Sequence, residues 1–456
     1  MAGIGFELRR LLKKDSIFGV IRAYGYAGVI SSGPWVLSIL SVMLIGIVSV
    51  GQVIPKTLIV QYLVSVTYLM AASLIATAPL QLMLTRFISD RLFEKRHPAV
   101  LPNLFGALIL TTFFTGVLGT GLAVALFRQS FFYELLMVAS FVVLSNIWMV
   151  VIFLSGMKSY NAILTVFAAG YGTAIIVSLP LRVVGMEGLL VGFCIGQCVL
   201  LFAMLFLVAR QYPGDSLVSM EFLDRRKSYY SLAATGLLFN LAVWADKFIF
   251  WCNPTTSQQV IAPLRASIIY DLPIFLAYLS IIPGMAVFLV RMETDFVESY
   301  DNFYTAIRQG DTLKHIRLYK DAMVLNIQQG IYEIFKVQGL TVVLLFLAAG
   351  PLMDAIGISR LYTRLFRVDL IGIGVQVLLL AIFNVTFYLD LRGTACLLSA
   401  MFLVINLAAS WLSIILGPQY FGLGFATATI VTSLLGLCLL NRKLNNLEYE
   451  TFMLQP

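Results

Sequence analysis

The chain has 456 residues, of which 60% are hydrophobic and only 12% charged, and its formal net charge is +8. Soluble domains carry about 25% charged residues, so this composition excludes an ordinary soluble enzyme or binding module. The basic excess belongs to membrane topology and anionic lipid headgroups rather than nucleic acid, because no basic–aromatic cluster is left once the apolar runs are removed.

Residues 1–22 come first. Ile4, Leu8, Leu11, Leu12 and Phe18 recur at helical spacing, with Arg9, Arg10, Lys13 and Lys14 available for the polar side. The pattern predicts an amphipathic helix on the cytoplasmic leaflet rather than a cleavable signal. A plain charged leader is the alternative. Twelve apolar runs follow, at 23–50, 58–84, 104–127, 131–154, 160–181, 187–209, 229–252, 263–290, 323–349, 365–389, 393–416 and 419–440. Each is long enough to cross about 30 Å of hydrocarbon as a helix. Barrel strands would be shorter and would alternate polar with apolar residues. The expected fold is therefore an all-α polytopic membrane protein.

The cations set the orientation. With the N-terminus in the cytoplasm, the segments predicted to be cytoplasmic hold 22 of the 31 Lys and Arg residues, and the opposite loops hold six: Lys56, Arg128, Arg182, Arg360, Arg364 and Arg367. Such a bias predicts that both termini are cytoplasmic. The loop at 350–367, with three of those six, is the exception.

The connection at 210–228 falls between the sixth and seventh spans. Counting predicts an N-terminal six-helix bundle at 23–209, a C-terminal one at 229–441 and a cytoplasmic tail at 442–456, the bundles facing each other across a central cavity. Pro79, Pro273 and Pro283 lie inside spans and predict kinks, serving either as hinges or as static packing features. Segment 291–320 reads as an amphipathic cytoplasmic helix. Its stripe of Tyr300, Phe303, Tyr304 and Ile307 is a candidate partner-binding surface, unless it folds back on the protein's own helix ends.

Ionisable groups inside spans carry the strongest functional signal. Asp246 and Lys247 fall in the seventh span, Arg265 and Asp271 in the eighth, and Glu333 and Lys336 in the ninth. Glu333 and Lys336 are three apart and predict a pair on one helix face. These six either form salt bridges between helices or line a hydrophilic conduit. With Tyr270, Asn326 and Gln329 they make the candidate substrate path, because amides and carboxylates hydrogen-bond sugar hydroxyls and aromatic faces stack on sugar rings. No cofactor is expected. The five cysteines lie in or beside apolar spans, His97 and His315 are the only histidines, and no nucleotide-binding, hydrolase or zinc-protease motif occurs. The expectation is a transporter rather than an enzyme.

The stretch GIGFELRRLLKKDSIFGVIRAYGYAGVISSGPWVLSIL at residues 3–40, with the layout of twelve spans, resembles the PelG-like inner-membrane proteins of Pel exopolysaccharide systems. That family is grouped with the multidrug/oligosaccharidyl-lipid/polysaccharide (MOP) exporters. The resemblance implies two six-helix bundles around a cavity, transport of exopolysaccharide across the bacterial inner membrane, and action beside the cytoplasmic glycosyltransferase PelF and the membrane proteins PelD, a cyclic di-GMP receptor, and PelE. It carries over no residue roles. Two other readings stay open: a flippase for lipid-linked oligosaccharide or cation-coupled exporter, and a non-transporting scaffold of the synthase.

Overall fold

The computed structural model describes residues 24–25, 27–28, 38–49, 53, 55, 57–154, 160–224 and 229–453. The predicted interfacial helix at 1–22 and much of the first span lie outside these residues. Among the described residues, eleven helices are long and apolar enough to cross a membrane, and a shorter apolar helix, α1, covers Ser38–Ser49. The rest are arranged as α2 (Thr57–Phe93), α3 (Val100–Leu126), α4 (Phe131–Leu154), α5 (Tyr160–Leu181), α6 (Met186–Gln211), α7 (Tyr230–Cys252), a hairpin of β1 (Gln258–Ile261) and β2 (Leu264–Ala266), α8 (Ile268–Tyr278), α9 (Ile281–Val290), a π-helical segment (Arg291–Phe296), α10 (Val297–Arg308), α11 (Leu313–Ile356), α12 (Thr363–Tyr388), α13 (Arg392–Leu416), α14 (Leu423–Asn445) and α15 (Leu447–Met453).

The chain divides into two compact units. The N-terminal unit holds residues 33–244 and 250–268, and the C-terminal unit holds 1–32, 245–249 and 269–456. The division thus falls inside α7 rather than at the connection 210–228.

In the N-terminal unit, α5 and α6 approach most closely where Gly192-x-x-x-Gly196 faces α5. A Cβ on Gly196 would come within 2.7 Å of the Ala174 Cα, and one on Gly192 within 2.6 Å of the Ser178 Cα. Small residues four apart remove the bulk that would hold two membrane helices apart, and packing contacts then hold the pair. Polar side chains tie α2 to α4. The Ser65 and Tyr133 hydroxyls are 2.8 Å apart, and Trp148 Nε1 donates to Ser73 Oγ at 3.0 Å.

The hairpin is the first departure from the predicted spans. Residues 263–267 do not open the eighth helix. Arg265 lies in β2, where its guanidinium donates to Ser257 Oγ (2.8 Å) and the Ser257 carbonyl (3.0 Å). The Tyr68 hydroxyl on α2 donates to the Arg265 carbonyl at 2.8 Å, and Gln61 Nε2 donates to the Val260 carbonyl at 3.2 Å. Arg265 is therefore corrected from a span residue to a hairpin residue. The Tyr68 hydroxyl also accepts the Arg265 N–H at 3.4 Å, so one side chain answers both backbone groups, and the adjacent Gln258-Gln259 pair has no place in hydrocarbon.

In the C-terminal unit, α12 is the central helix, with 67% of its apolar window buried, whereas α11 buries only 11% of its own. Leu325, Tyr332, Phe335, Leu340, Leu344 and Leu347 are exposed on α11, and apolar side chains on a helix of this length are suited to lipid. At 44 residues, α11 runs about 66 Å and overshoots a bilayer. The predicted single helix at 291–320 does not form. Gly310 adopts φ +67°, a left-handed turn, and Thr312 then caps α11 by accepting the His315 N–H.

The last helix folds back on the start of α11. Glu448 receives Lys320 Nζ at 2.7 Å and Arg317 Nε at 3.3 Å. The Lys320 ammonium, with the Arg317 guanidinium behind it, holds the Glu448 carboxyl below its ordinary value. A carboxyl depressed in the folded state contributes its contact above its unfolded value and loses it as pH falls through the folded one. Hydrogen exchange over 447–453 should therefore stay slow above about pH 4.3, the ordinary glutamate value. Measured against the intrinsic amide rate at each pH, it should rise at lower pH, and Glu448→Gln should show the faster exchange already at neutral pH.

Candidate functional site

The most buried charges of the C-terminal unit lie around Asp246 and Lys247 of α7. Neighbouring helix positions point about 100° apart and do not normally face each other. Here the four-carbon Lys247 stem curls back, so that Nζ lies 3.0 Å from Asp246 Oδ2 and 3.2 Å from Oδ1. Two further helices complete the carboxylate's shell. The Tyr270 hydroxyl on α8 donates to Oδ2 at 2.7 Å, and Asn406 Nδ2 on α13 donates to Oδ1 at 3.3 Å. The Ser410 hydroxyl, one turn along α13, donates to Asn406 Oδ1 at 2.9 Å and fixes the orientation of that amide. Lys247 Nζ lies 5.3 Å from the Tyr278 ring centre and 5.0 Å from that of Phe425, within cation–π range.

Asp369 of α12 is a second carboxylate at the same site. It is fully buried, and neither oxygen has a hydrogen-bond partner among the described residues. It acts electrostatically on Lys247, Tyr270 and Tyr278. Gly422, which opens α14, packs against it; a Cβ at that position would lie 2.9 Å from Asp369 Oδ1. Two carboxylates and one ammonium are thus buried at this site.

A second polar constellation surrounds the π-helical segment. Arg291 donates from Nε to Glu333 Oε2 (2.6 Å) and from Nη2 to Oε1 (2.7 Å), a bidentate fork, and its Nη1 reaches Asp295 Oδ2 at 2.5 Å. This corrects the expected Glu333–Lys336 pair. Lys336 points outward and is exposed, because α11 presents only a narrow face to the unit. Glu293 is buried and accepts from the Tyr388 hydroxyl at 3.2 Å. Asn326 donates to Ser299 Oγ at 2.5 Å. A π turn inserts one extra residue into the helix, which re-aims the side chains beyond it.

The sequence-predicted site residues therefore divide. Asp246, Lys247 and Tyr270 share one cluster. Glu333 and Asn326 both join the π segment. Arg265 belongs to the hairpin, Asp271 is half-buried in the first turn of α8, and Gln329 and Lys336 are exposed on α11. Of the stripe on α10, Phe303 is fully buried, while Tyr300, Tyr304 and Ile307 are half-buried. Tyr300 packs tilted against Tyr304 (4.5 Å between ring centres) and edge-on to Tyr388 (5.5 Å), so these rings turn partly toward the unit itself. Asp369 was legible in the sequence as a lone acid inside a predicted span, yet it is absent from the six. Asn406 and Tyr278 carried only the weaker signal of polar groups in apolar runs.

Removing one member of a buried ion pair costs about 3–5 kcal/mol, because the other charge is left uncompensated. Lys247→Met should lower stability by that order in thermal unfolding of the detergent-solubilised protein. The double replacement Asp246→Leu, Lys247→Met should recover part of the loss.

Known proteins place this fold and chain. No curated protein matches it. Three solved structures share the fold across nearly all of both chains. A MATE crystallised in complex with Br-NRF has a TM-score of 0.62 and 13% identity, covering 98% of this chain and 99% of that one. A variant of the Vibrio cholerae MATE transporter VcmN gives 0.63 and 13%, covering 92% and 98%. A MOP superfamily transporter from Pyrococcus furiosus gives 0.61 and 13%, covering 93% and 96%. At these identities the likeness establishes fold alone. The sequence itself matches a family model over residues 1–452, and the chain belongs to the PelG exopolysaccharide exporter (EPS-E) family.

Proposed function

We propose that this protein carries a Pel-type exopolysaccharide across the bacterial inner membrane, as the translocation component of a synthase–transporter complex. The observation that carries the reading is a fully buried set of charges, amides and aromatic hydroxyls, drawn from four apolar helices, in a member of an exopolysaccharide exporter family. A polymer of sugars needs hydrogen-bonding groups inside the membrane to replace the water it leaves behind. Asp246, Lys247, Tyr270 and Asn406 are the groups we assign to the path in the C-terminal unit, together with Glu333 and Asn326 of α11. The bias of 22 basic residues against six on the other side supports cytoplasmic termini. PelF would supply the polymer, PelD and PelE would accompany it, and the half-buried Tyr300, Tyr304 and Ile307 are the surface proposed for PelF. In proteoliposomes holding the protein and its glycosyltransferase, labelled nascent glycan should become protected inside the vesicle lumen. Asp246→Asn with Lys247→Gln should cut that protection at least tenfold at matched protein levels. Glycan left wholly on the synthesis side by the unmodified protein would exclude the translocation role and favour the scaffold reading. Supplying the glycan with and without a lipid anchor separates polymer translocation from flipping of a lipid-linked unit.

Asp369 favours a second, compatible reading, in which export is coupled to a cation. A buried carboxylate with no hydrogen-bond partner among the described residues, beside an already paired Asp–Lys, is suited to taking up and releasing a positive charge. Transport should then depend on an imposed proton or sodium gradient, and Asp369→Asn should abolish that dependence while leaving the protein folded. Equal export with and without either gradient would remove this reading.

A further inference from the structure

The eighth apolar span is two helices. Leu279 and Ser280 separate α8 from α9, and their N–H groups make short bonds three residues back, to the carbonyls of Leu276 (3.1 Å) and Ala277 (3.0 Å). Pro283 follows and has no N–H to give, so the carbonyl of Leu279 loses its helical donor. In hydrocarbon such a break needs a neighbour to satisfy the backbone. Gln338 of α11 bonds the backbone next to the orphaned carbonyl rather than that carbonyl itself. Its Nε2 donates to the Ser280 carbonyl at 3.1 Å, and its Oε1 accepts the Gly284 N–H at 3.1 Å. Those two backbone groups are one rung of an ordinary helix ladder, so a single amide brackets the rung at the break from outside. Only glycine lets it in: a Cβ on residue 284 would overlap Gln338 Oε1 and lie 3.1 Å from both its Cδ and Val377 Cγ1.

The pieces on either side of the break are held differently. Above it, α8 gives Tyr270 to Asp246 and sets Tyr278 beside Lys247. Below it, α9 leads into the π segment, where Arg291 forks onto Glu333 of α11, five residues before Gln338. So α11 grips α9 at both ends, while α8 is fastened to the buried charge cluster instead.

We propose that Gln338 is a positioning residue for transport, splinting a hinge at Leu279–Gly284 about which α8 and the charge cluster turn relative to the α9–α11 pair. The splint is a side chain and not a backbone bond, so it can let go and re-form without unwinding a helix turn. This rests on the transport reading above, and the test separates the two. Hydrogen exchange is followed over 276–290 in the full-length protein in nanodiscs, and glycan translocation is measured on the same preparations. Gln338→Leu should raise exchange over 280–284 at least tenfold and cut translocation about tenfold, with the exchange of α12 and α14 unchanged. Gln338→Glu keeps the acceptor for Gly284 and should fall between; Gly284→Ala leaves the glutamine in place but excludes its amide and should reproduce the leucine variant. Should Gln338→Leu fail to reach the membrane, the glutamate and alanine variants carry the comparison. Unchanged exchange over 280–284 in Gln338→Leu, or in Gly284→Ala where only the latter folds, overturns the splint. Raised exchange with undiminished translocation overturns its role in transport. A wild-type protein that moves no glycan overturns the transport reading instead, and the exchange data still report on the splint.

Discussion

A charge inside hydrocarbon must be answered by other groups, and in the C-terminal unit that requirement organises four helices around one residue. Asp246 takes an ammonium from its own helix, a hydroxyl from α8 and an amide from α13, while α12 adds a second carboxylate. Each partner restricts how its helix can be rotated and how far along its axis it can slide. Apolar packing alone would leave that choice loose, since one leucine face slides over another at little cost. The cluster thus acts as a register mark as well as a polar site. A buried ion pair contributes little net stability compared with matched apolar residues, so its retention here is better explained by what it specifies than by how much it stabilises.

The same constraint explains where the helices break. Backbone N–H and C=O groups within a membrane must be paired, so an interruption is tolerated only beside a side chain that can pair them. At the step between α8 and α9, Gln338 bonds the Ser280 carbonyl and the Gly284 N–H. The π segment at Arg291–Phe296 is a milder interruption in the same run, where Thr294 bonds back to the Val290 carbonyl and Arg291 is held by two carboxylates. In the N-terminal unit the interruption takes another form. The hairpin leaves the helical path altogether, and its strands satisfy each other while Gln61 and Tyr68 pin it to α2.

Family membership marks the chain as one of the exopolysaccharide exporter family, and the solved structures it resembles share its fold. The family model alone does not distinguish residues that touch cargo from those that hold helices in place. Among the described residues, Asp246 accepts from three side chains, Asp369 has no hydrogen-bond partner, and Lys336 is exposed.

The class of fold was written in the one-dimensional sequence, because a membrane span needs only length and apolarity, both local properties. The membrane sidedness expected for the chain is likewise a matter of where Lys and Arg fall. The sequence also marked Asp246 and Lys247 as out of place in an apolar run, and would have marked Asp369 by the same rule. It could not pair them. Glu333 and Lys336, three apart, looked like partners by helical spacing, yet Arg291, 42 residues away, took the carboxylate with a planar fork that a lysine cannot form. Nor could it place Arg265, whose apolar neighbours extended the eighth run through what is a hairpin. Gln338 lies in the ninth predicted span with nothing in its own neighbourhood to single it out, since its meaning lies in a break on another helix. Apolar length is a local quantity that a window of residues can report; which polar group answers which is decided only when helices meet, and that belongs to the tertiary structure.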